Sequence, residues 1–211
     1  MAFVILWRSV YYTSRGNLAT VSGVPRRDVR QLAIDAAARL FGTDGYHGTG
    51  LTRILDESGA PKGSFYFHFP DGKEQLAEEA VAAASAQMEE LIFFSIAQAD
   101  RGDGTVVDHL AGALQRRLID SDYATGGPIT SLTLETSHLS DRLREACNAA
   151  YDRWVGLLAD HLEAGGAKGD DARDAATAVL AALEGALAMA KAARNDQVVA
   201  DTARQLNTLL P

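Results

Sequence analysis

Cysteine is all but missing: Cys147 stands alone in 211 residues. One thiol can build neither a disulfide framework nor a thiolate zinc site within a chain, so nothing asks for an oxidising compartment. Long apolar runs are missing near the start. The longest, residues 3–7, is far shorter than a signal-peptide core or a membrane span and has no basic lead-in. The expectation is a cytoplasmic protein with no membrane partner. Strand-like alternation is also absent beyond Lys73, which excludes a sheet there.

Catalytic signatures are equally scarce. His47, His68, His109, His138 and His161 form no HExxH pair and have no carboxylate at metal-ligand spacing. No GxSxG elbow occurs, and Gly165-Gly166-Ala167-Lys168-Gly169 lacks the spacing and the Ser/Thr of a phosphate loop. Asp100, Asp103 and Gly104 are similar to the start of a calcium loop, but its twelfth position is Ala111, which cannot ligate. The expectation is a protein that is not an enzyme, with no catalytic residues, metal or cofactor.

What is present is a globular composition, 47% hydrophobic and 23% charged. The net charge of −8 argues against nucleic acid, but it is unevenly spread. Residues 1–75 hold nine Lys/Arg against seven Asp/Glu, whereas residues 76–211 hold eleven against twenty-one. An acidic body with a mildly basic head fits a protein whose head alone meets phosphate.

Residues 1–24 show no sustained helical period and read as a disordered extension, or else as an arm that lies along DNA. From Pro25 the pattern changes. Val29, Leu32, Ala33, Ala36, Leu40 and Phe41 fall at helical spacing, and Gly42 sits where that helix should stop. Thr49 reads as the N-cap of a short helix with Leu51, Ile54 and Leu55 inward. Gly59-Ala60 turns the chain, Pro61 opens a third helix through Phe69, and Pro70-Asp71-Gly72 ends it. Three short helices, the last two joined by a tight glycine turn, predict a helix-turn-helix over 25–75. Further helices are expected at about 73–99, 105–120, 128–138, 140–164, 171–194 and 197–209. The fold class is all-α, with a larger helical bundle over 76–211.

The segment from Lys62 to Phe69 carries most of the chemistry. Phe65 and Phe69, four apart, share a helix face and can anchor it to Leu40, Phe41, Ile54 and Leu55. The other side then presents Lys62, Gly63, Ser64, Tyr66, Phe67 and His68. A helix in the major groove needs a glycine for close approach, donors for phosphate and side chains for base edges. Lys73, opening the long helix, adds a cation beside helix N-terminal amides. The competing reading is a surface helix with an unusual aromatic load.

The stretch Phe41-Gly42, Gly45-Tyr46-His47-Gly48-Thr49, Ile54 through Phe69 and Lys73-Glu74-Gln75-Leu76 closely resembles the TetR family of transcriptional regulators, over residues 27–76. The resemblance implies a homodimeric repressor that binds double-stranded operator DNA, with Lys62, Gly63, Ser64, Tyr66, Phe67, His68 and Lys73 at or near the duplex. It also implies phosphate contacts from Thr49 and Thr52 and makes Tyr66 the foremost contact. Two departures stand out. Pro70-Asp71-Gly72 is one residue longer than the commonest link in the family, and Leu55-Asp56 replaces a small residue and its neighbour. The longer link, Gly126-Gly127-Pro128-Ile129 and Glu135 together resemble the LmrA/YxaF-like branch.

In the remainder, helix spacing and the resemblance put a dimer interface at Val179, Leu183, Ala186, Leu187, Ala190, Val199 and Leu206, small residues interleaved with leucine. The alternative is that these helices pack within one chain. A pocket for a small hydrophobic or amphipathic effector draws on Met88, Phe93, Tyr123, Leu132, Glu135, His138, Tyr151 and Trp154. Glu135 and Glu184 lie in apolar runs, where an unpaired carboxylate is costly. They either select a cationic ligand or cap a neighbouring helix. Two other functions remain open: an all-α enzyme or carrier with a vestigial helix-turn-helix, and a module that docks a protein partner through Tyr66 and Phe67.

Overall fold

A computed structural model of the chain describes residues 28–210. The extension read over 1–24, and residues 25–27, lie outside the described residues. Among the described residues there are nine α-helices and no strand.

Helix α1 (Val29–Gly48) is capped by the Asp28 carboxylate, which accepts from the Arg30 amide at 3.0 Å. It does not stop at Gly42. That residue is buried in the helix, where a Cβ would sit 3.4 Å from Pro128, so the glycine serves close approach of another helix. The break comes at Gly45, whose φ of 76° lies in the left-handed region.

Helix α2 (Leu51–Ser58) is capped by Gly50 and ends at Gly59, φ 68°. The next element is shorter than its sequence suggests. Lys62–Ser64 form a 3₁₀ turn and only Phe65–His68 (α3) are α-helical. Gly63 weakens helix at one end. At the other, Pro70 pushes Phe69 out of helical geometry, to φ −132° and ψ 75°.

The body consists of α4 (Gly72–Ala99), α5 (Val106–Asp120), α6 (Pro128–Thr136), α7 (Asp141–Ala164), α8 (Gly169–Ala193) and α9 (Gln197–Leu209). Its starts obey local chemistry. Thr105 and Asp108 form a reciprocal capping box on α5, Pro128 opens α6, and Ser140 caps α7. Helices α4 and α8 are long and apolar enough, by length and composition alone, to cross a membrane. Here α4 packs on α1, α5 and α7, and α8 packs on α5, α7 and α9.

One core runs through the molecule. Leu40, Phe41, Ile54, Phe65 and Phe69 fill the head, and Leu76 and Ala77 continue it into a body centred on Ile92, Leu110, Ile129, Leu132, Leu158 and Leu183. Fully burying each large side chain contributes roughly 1.5–3 kcal/mol, so the head is held to the body by the same force that holds each together.

The helices expected at the dimer face also contribute to this core. Val179, Leu183, Ala186, Ala190, Val199 and Leu206 are all buried within the single chain, and Leu187 is half-buried. They hold α8 and α9 to their own body. The sides those helices leave exposed carry Ala178, Ala181, Gly185, Ala188 and Met189 on α8, and Gln205 and Leu209 on α9.

Candidate nucleic-acid interface

The head buries most of its apolar groups but turns two aromatics, Tyr66 and Phe67, outward. Phe65 and Phe69 are buried with ring centroids 5.1 Å apart, and the Arg30 guanidinium lies 5.4 Å from the Phe69 ring. This pair fixes the element on the core and turns the intervening side chains out. Phe67 is 84% exposed and Tyr66 64%, with Phe65 edge-on to Tyr66 at 5.1 Å. Lys62, Gly63 and Thr52 are exposed, and Ser64 and His68 are half-buried at the same edge. Gly63 has nothing within 4 Å of where a Cβ would stand and has no positive φ. No contact among the described residues therefore requires a glycine there.

Two residues expected at the duplex are engaged elsewhere. Thr49 is fully buried, and its hydroxyl lies 2.7 Å from the Gly45 carbonyl and 3.3 Å from that of Leu40. It closes the corner between α1 and α2 and is sealed from any phosphate. Lys73 donates from Nζ to the Tyr46 carbonyl at 2.6 Å and lies 4.0 Å from the Tyr46 ring. Burial pushes its ammonium pKa down, while the Glu135 charge opposes that shift. Lys73 is thus a clamp on the end of α1.

Charge on the head is largely internal. Arg30 pairs with Glu79 and Arg39 with Glu57. Arg53 pairs with Asp44 at 2.9 Å and also with Glu57. Lys62 approaches Asp56 at 3.4 Å, with both side chains more than half exposed. Such surface pairs are worth little and exchange readily for another anion.

A separate cavity lies among α4 to α8. Met88, Leu114, Trp154 and Leu187 line it, together with the polar groups Arg117, Thr130 and Glu184, the loop residues 125–127 and Pro128. Trp154 is fixed by an Nε1–H donated to the Ser85 carbonyl at 3.4 Å. The Thr130 hydroxyl donates to Glu184 at 2.7 Å, which leaves Tyr151 as the donor in its 2.8 Å bond to Thr130. Burial pushes the Glu184 carboxyl up. The Thr130 bond and the Arg117 charge pull it back down.

Of the residues expected around an effector, Met88 and Trp154 line this cavity and Tyr151 stands one hydrogen bond behind Thr130. Leu132 belongs to the core, while Phe93 and His138 are exposed. The Tyr123 hydroxyl reaches Asp196 at 3.4 Å, away from the cavity. Glu135 is also elsewhere, accepting from the His47 amide at 2.9 Å. Thr130 and Arg117 escaped the sequence reading because neither looks unusual until α6, α5 and α8 are brought together. Among the described residues, no group of three His, Cys, Asp or Glu is placed to hold a metal.

Residues 33–80 match the model of bacterial regulatory proteins of the tetR family, and residues 104–205 match that of the C-terminal domain of LmrA/YxaF-like transcriptional regulators. The chain is 40% identical to the HTH-type transcriptional regulator LmrA of Bacillus subtilis, over 80% of this chain and 89% of that protein. It is 34% identical to the uncharacterized HTH-type regulator YxaF of the same organism, over 77% and 84%. Among solved structures, a TetR regulator from Chloroflexus aurantiacus aligns with a TM-score of 0.70 at 27% identity, covering 85% of this chain and 92% of that one. The TetR protein of Rhodobacter sphaeroides aligns at 0.74 with 20% identity, covering 84% and 96%, a likeness of fold alone. The chain belongs to the TetR family of bacterial transcriptional regulators, with a C-terminal domain of the LmrA/YxaF-like kind.

Proposed function

We propose that the protein is a cytoplasmic, homodimeric repressor that binds an inverted-repeat operator and leaves it when a small molecule fills the body cavity. The observation that carries the DNA-reading half is the outward display of Tyr66 and Phe67 beside an unhindered Gly63. Exposing two large aromatics does nothing for a lone monomer, whereas a duplex offers thymine methyls, sugar edges and phosphates to meet them. Lys62, Ser64 and His68 add donors at the same edge, and Thr52 adds one near the start of α2.

The dimer forms through the exposed sides of α8 and α9. Gly185 has nothing within 4 Å of a Cβ position, and an open groove between the two helices is lined by Ala182, Val198, Thr202, Leu206 and Leu209. Small side chains allow close helix approach, and a two-fold pair would set two heads roughly 34 Å or somewhat more apart on one face of DNA.

Release starts at the cavity. Its wall includes the loop residues 125–127, and within that loop the Gly126 amide donates to the Gly42 carbonyl of α1 at 3.0 Å. A ligand that displaces this wall, or the long helix α4, disturbs the seat of the head. Coupling of this kind is typically worth ~1–3 kcal/mol and requires the ligand to prefer the released state. The effector is mainly apolar with one polar group that Glu184 or Thr130 can meet.

The test is fluorescence anisotropy of the full chain titrated into DNA from immediately upstream of its own gene, beside a scrambled duplex at two salt concentrations. Specific, salt-sensitive binding to the upstream DNA is expected. Absence of binding to either duplex contradicts the reading.

A further inference from the structure

Residues 45–49 form the corner from which α2, and through it the 62–68 edge, departs. Three groups hold that corner. Thr49 caps the Gly45 and Leu40 carbonyls from within. Lys73 of α4 donates to the Tyr46 carbonyl. Glu135, near the end of α6, accepts from the His47 amide at 2.9 Å. The glycine at the kink is matched to that carboxylate. A Cβ at Gly45 would stand 2.8 Å from Glu135 Cδ and overlap its oxygens, in addition to the strain that φ 76° imposes on any other residue.

We infer that Glu135 is a positioning residue for DNA recognition, its carboxylate fitted into the gap at Gly45 so that the α1–α2 corner, and with it the reading edge, is held in one orientation on the body. The inference rests on the DNA-binding reading above. A carboxylate suits this place better than an amide. Both of its oxygens accept, so either can take the His47 N–H, and its negative charge favours the Lys73 ammonium that grips the adjacent carbonyl. An apolar residue would leave the His47 amide without this acceptor. Glu135 touches no DNA in this arrangement. It acts through the backbone of residues 45–49.

The experiment uses full-length protein as wild type, Glu135→Ala, Glu135→Gln and Lys73→Met. Hydrogen exchange is followed by mass spectrometry, together with anisotropy on upstream and scrambled duplexes. For Glu135→Ala the expected result is exchange about tenfold faster across 45–58 with residues 169–193 unchanged. Affinity for the upstream duplex should fall about tenfold while scrambled-duplex affinity stays the same. Glu135→Gln, which keeps an acceptor, recovers part of both losses, and Lys73→Met shows a smaller loss of the same pattern. Wild-type exchange at 45–58 in Glu135→Ala, or unchanged upstream affinity, overturns the inference. So does equal loosening of 45–58 and 169–193, which marks a residue that merely stabilises the fold. If Glu135→Ala does not fold, Glu135→Gln is judged by the same readings. Should wild type bind neither duplex, the DNA-binding reading itself falls, and the positioning role falls with it. Failure of the variants alone to differ, with wild type binding, overturns only the inference.

Discussion

The Thr130 hydroxyl donates to the Glu184 carboxylate across 2.7 Å, tying α6 to α8 in the wall of the cavity. Because burial dominates, the Glu184 carboxyl titrates above its ordinary 4.5. The folded chain then holds that proton more tightly than the unfolded chain. This contribution to stability is complete below the unfolded value and is lost as pH rises through the folded one. Glu184→Gln removes the titration while keeping an acceptor for Thr130. Its melting temperature should exceed that of wild type at about pH 7.5, and the gap should close as pH falls to about 4. Calorimetric scans across that range check this, and parallel curves would contradict it.

Tyr66 and Phe67 are exposed, so replacing either with Ala should change stability by no more than about 0.5 kcal/mol. Operator affinity should nevertheless fall by about 1–3 kcal/mol. Urea unfolding beside DNA titration separates the two effects. A variant that loses stability but keeps affinity would show that these rings serve packing.

Thr49 makes the opposite prediction. Thr49→Val preserves volume but leaves the Gly45 and Leu40 carbonyls without the hydroxyl donor, which should lower unfolding free energy by about 1–2 kcal/mol. The same measurement with Thr52→Val should show almost no change, since Thr52 is exposed. Equal losses would mean that Thr49 is not the closure of the corner.

Gly185 tests the dimer. Gly185 is exposed and a Cβ there would have nothing within 4 Å among the described residues, so Gly185→Arg should leave the protomer's melting behaviour unchanged when dilute. Sedimentation should report a monomer, and operator affinity should fall more than about tenfold as the two-site contact is lost. A dimer that persists places the interface elsewhere.

Helix positions were legible in the sequence because caps and breakers coincide with the apolar period. Pro128, Ser140 and the Gly165-Gly166 break all stand where helices begin or end. The period also located the apolar stripe of α8 but could not say which partner it meets. Val179, Leu183 and Ala186 face inward, while Ala181, Gly185 and Met189, equally small or apolar, face out. At the head, the Phe65–Phe69 spacing was enough to separate core from edge. The intrachain bonds of Thr49 and Lys73 were not legible because their partners, Gly45, Leu40 and Tyr46, come together only through the kink at Gly45. Apolar side chains at helical spacing suit core as readily as cavity, so Leu132 of the core and Met88 of the cavity look alike in the sequence, and the polar Thr130 carries no such signal.

Methylation interference on the upstream duplex tests the central claim most directly, because guanine N7 lies only in the major groove. Two interfering patches are expected, centred roughly one helical turn or somewhat more apart and related by two-fold symmetry, with the pattern at each lost in Phe67→Ala. A single patch, or interference confined to adenine N3 in the minor groove, would contradict a dimer that reads the major groove with residues 62–68.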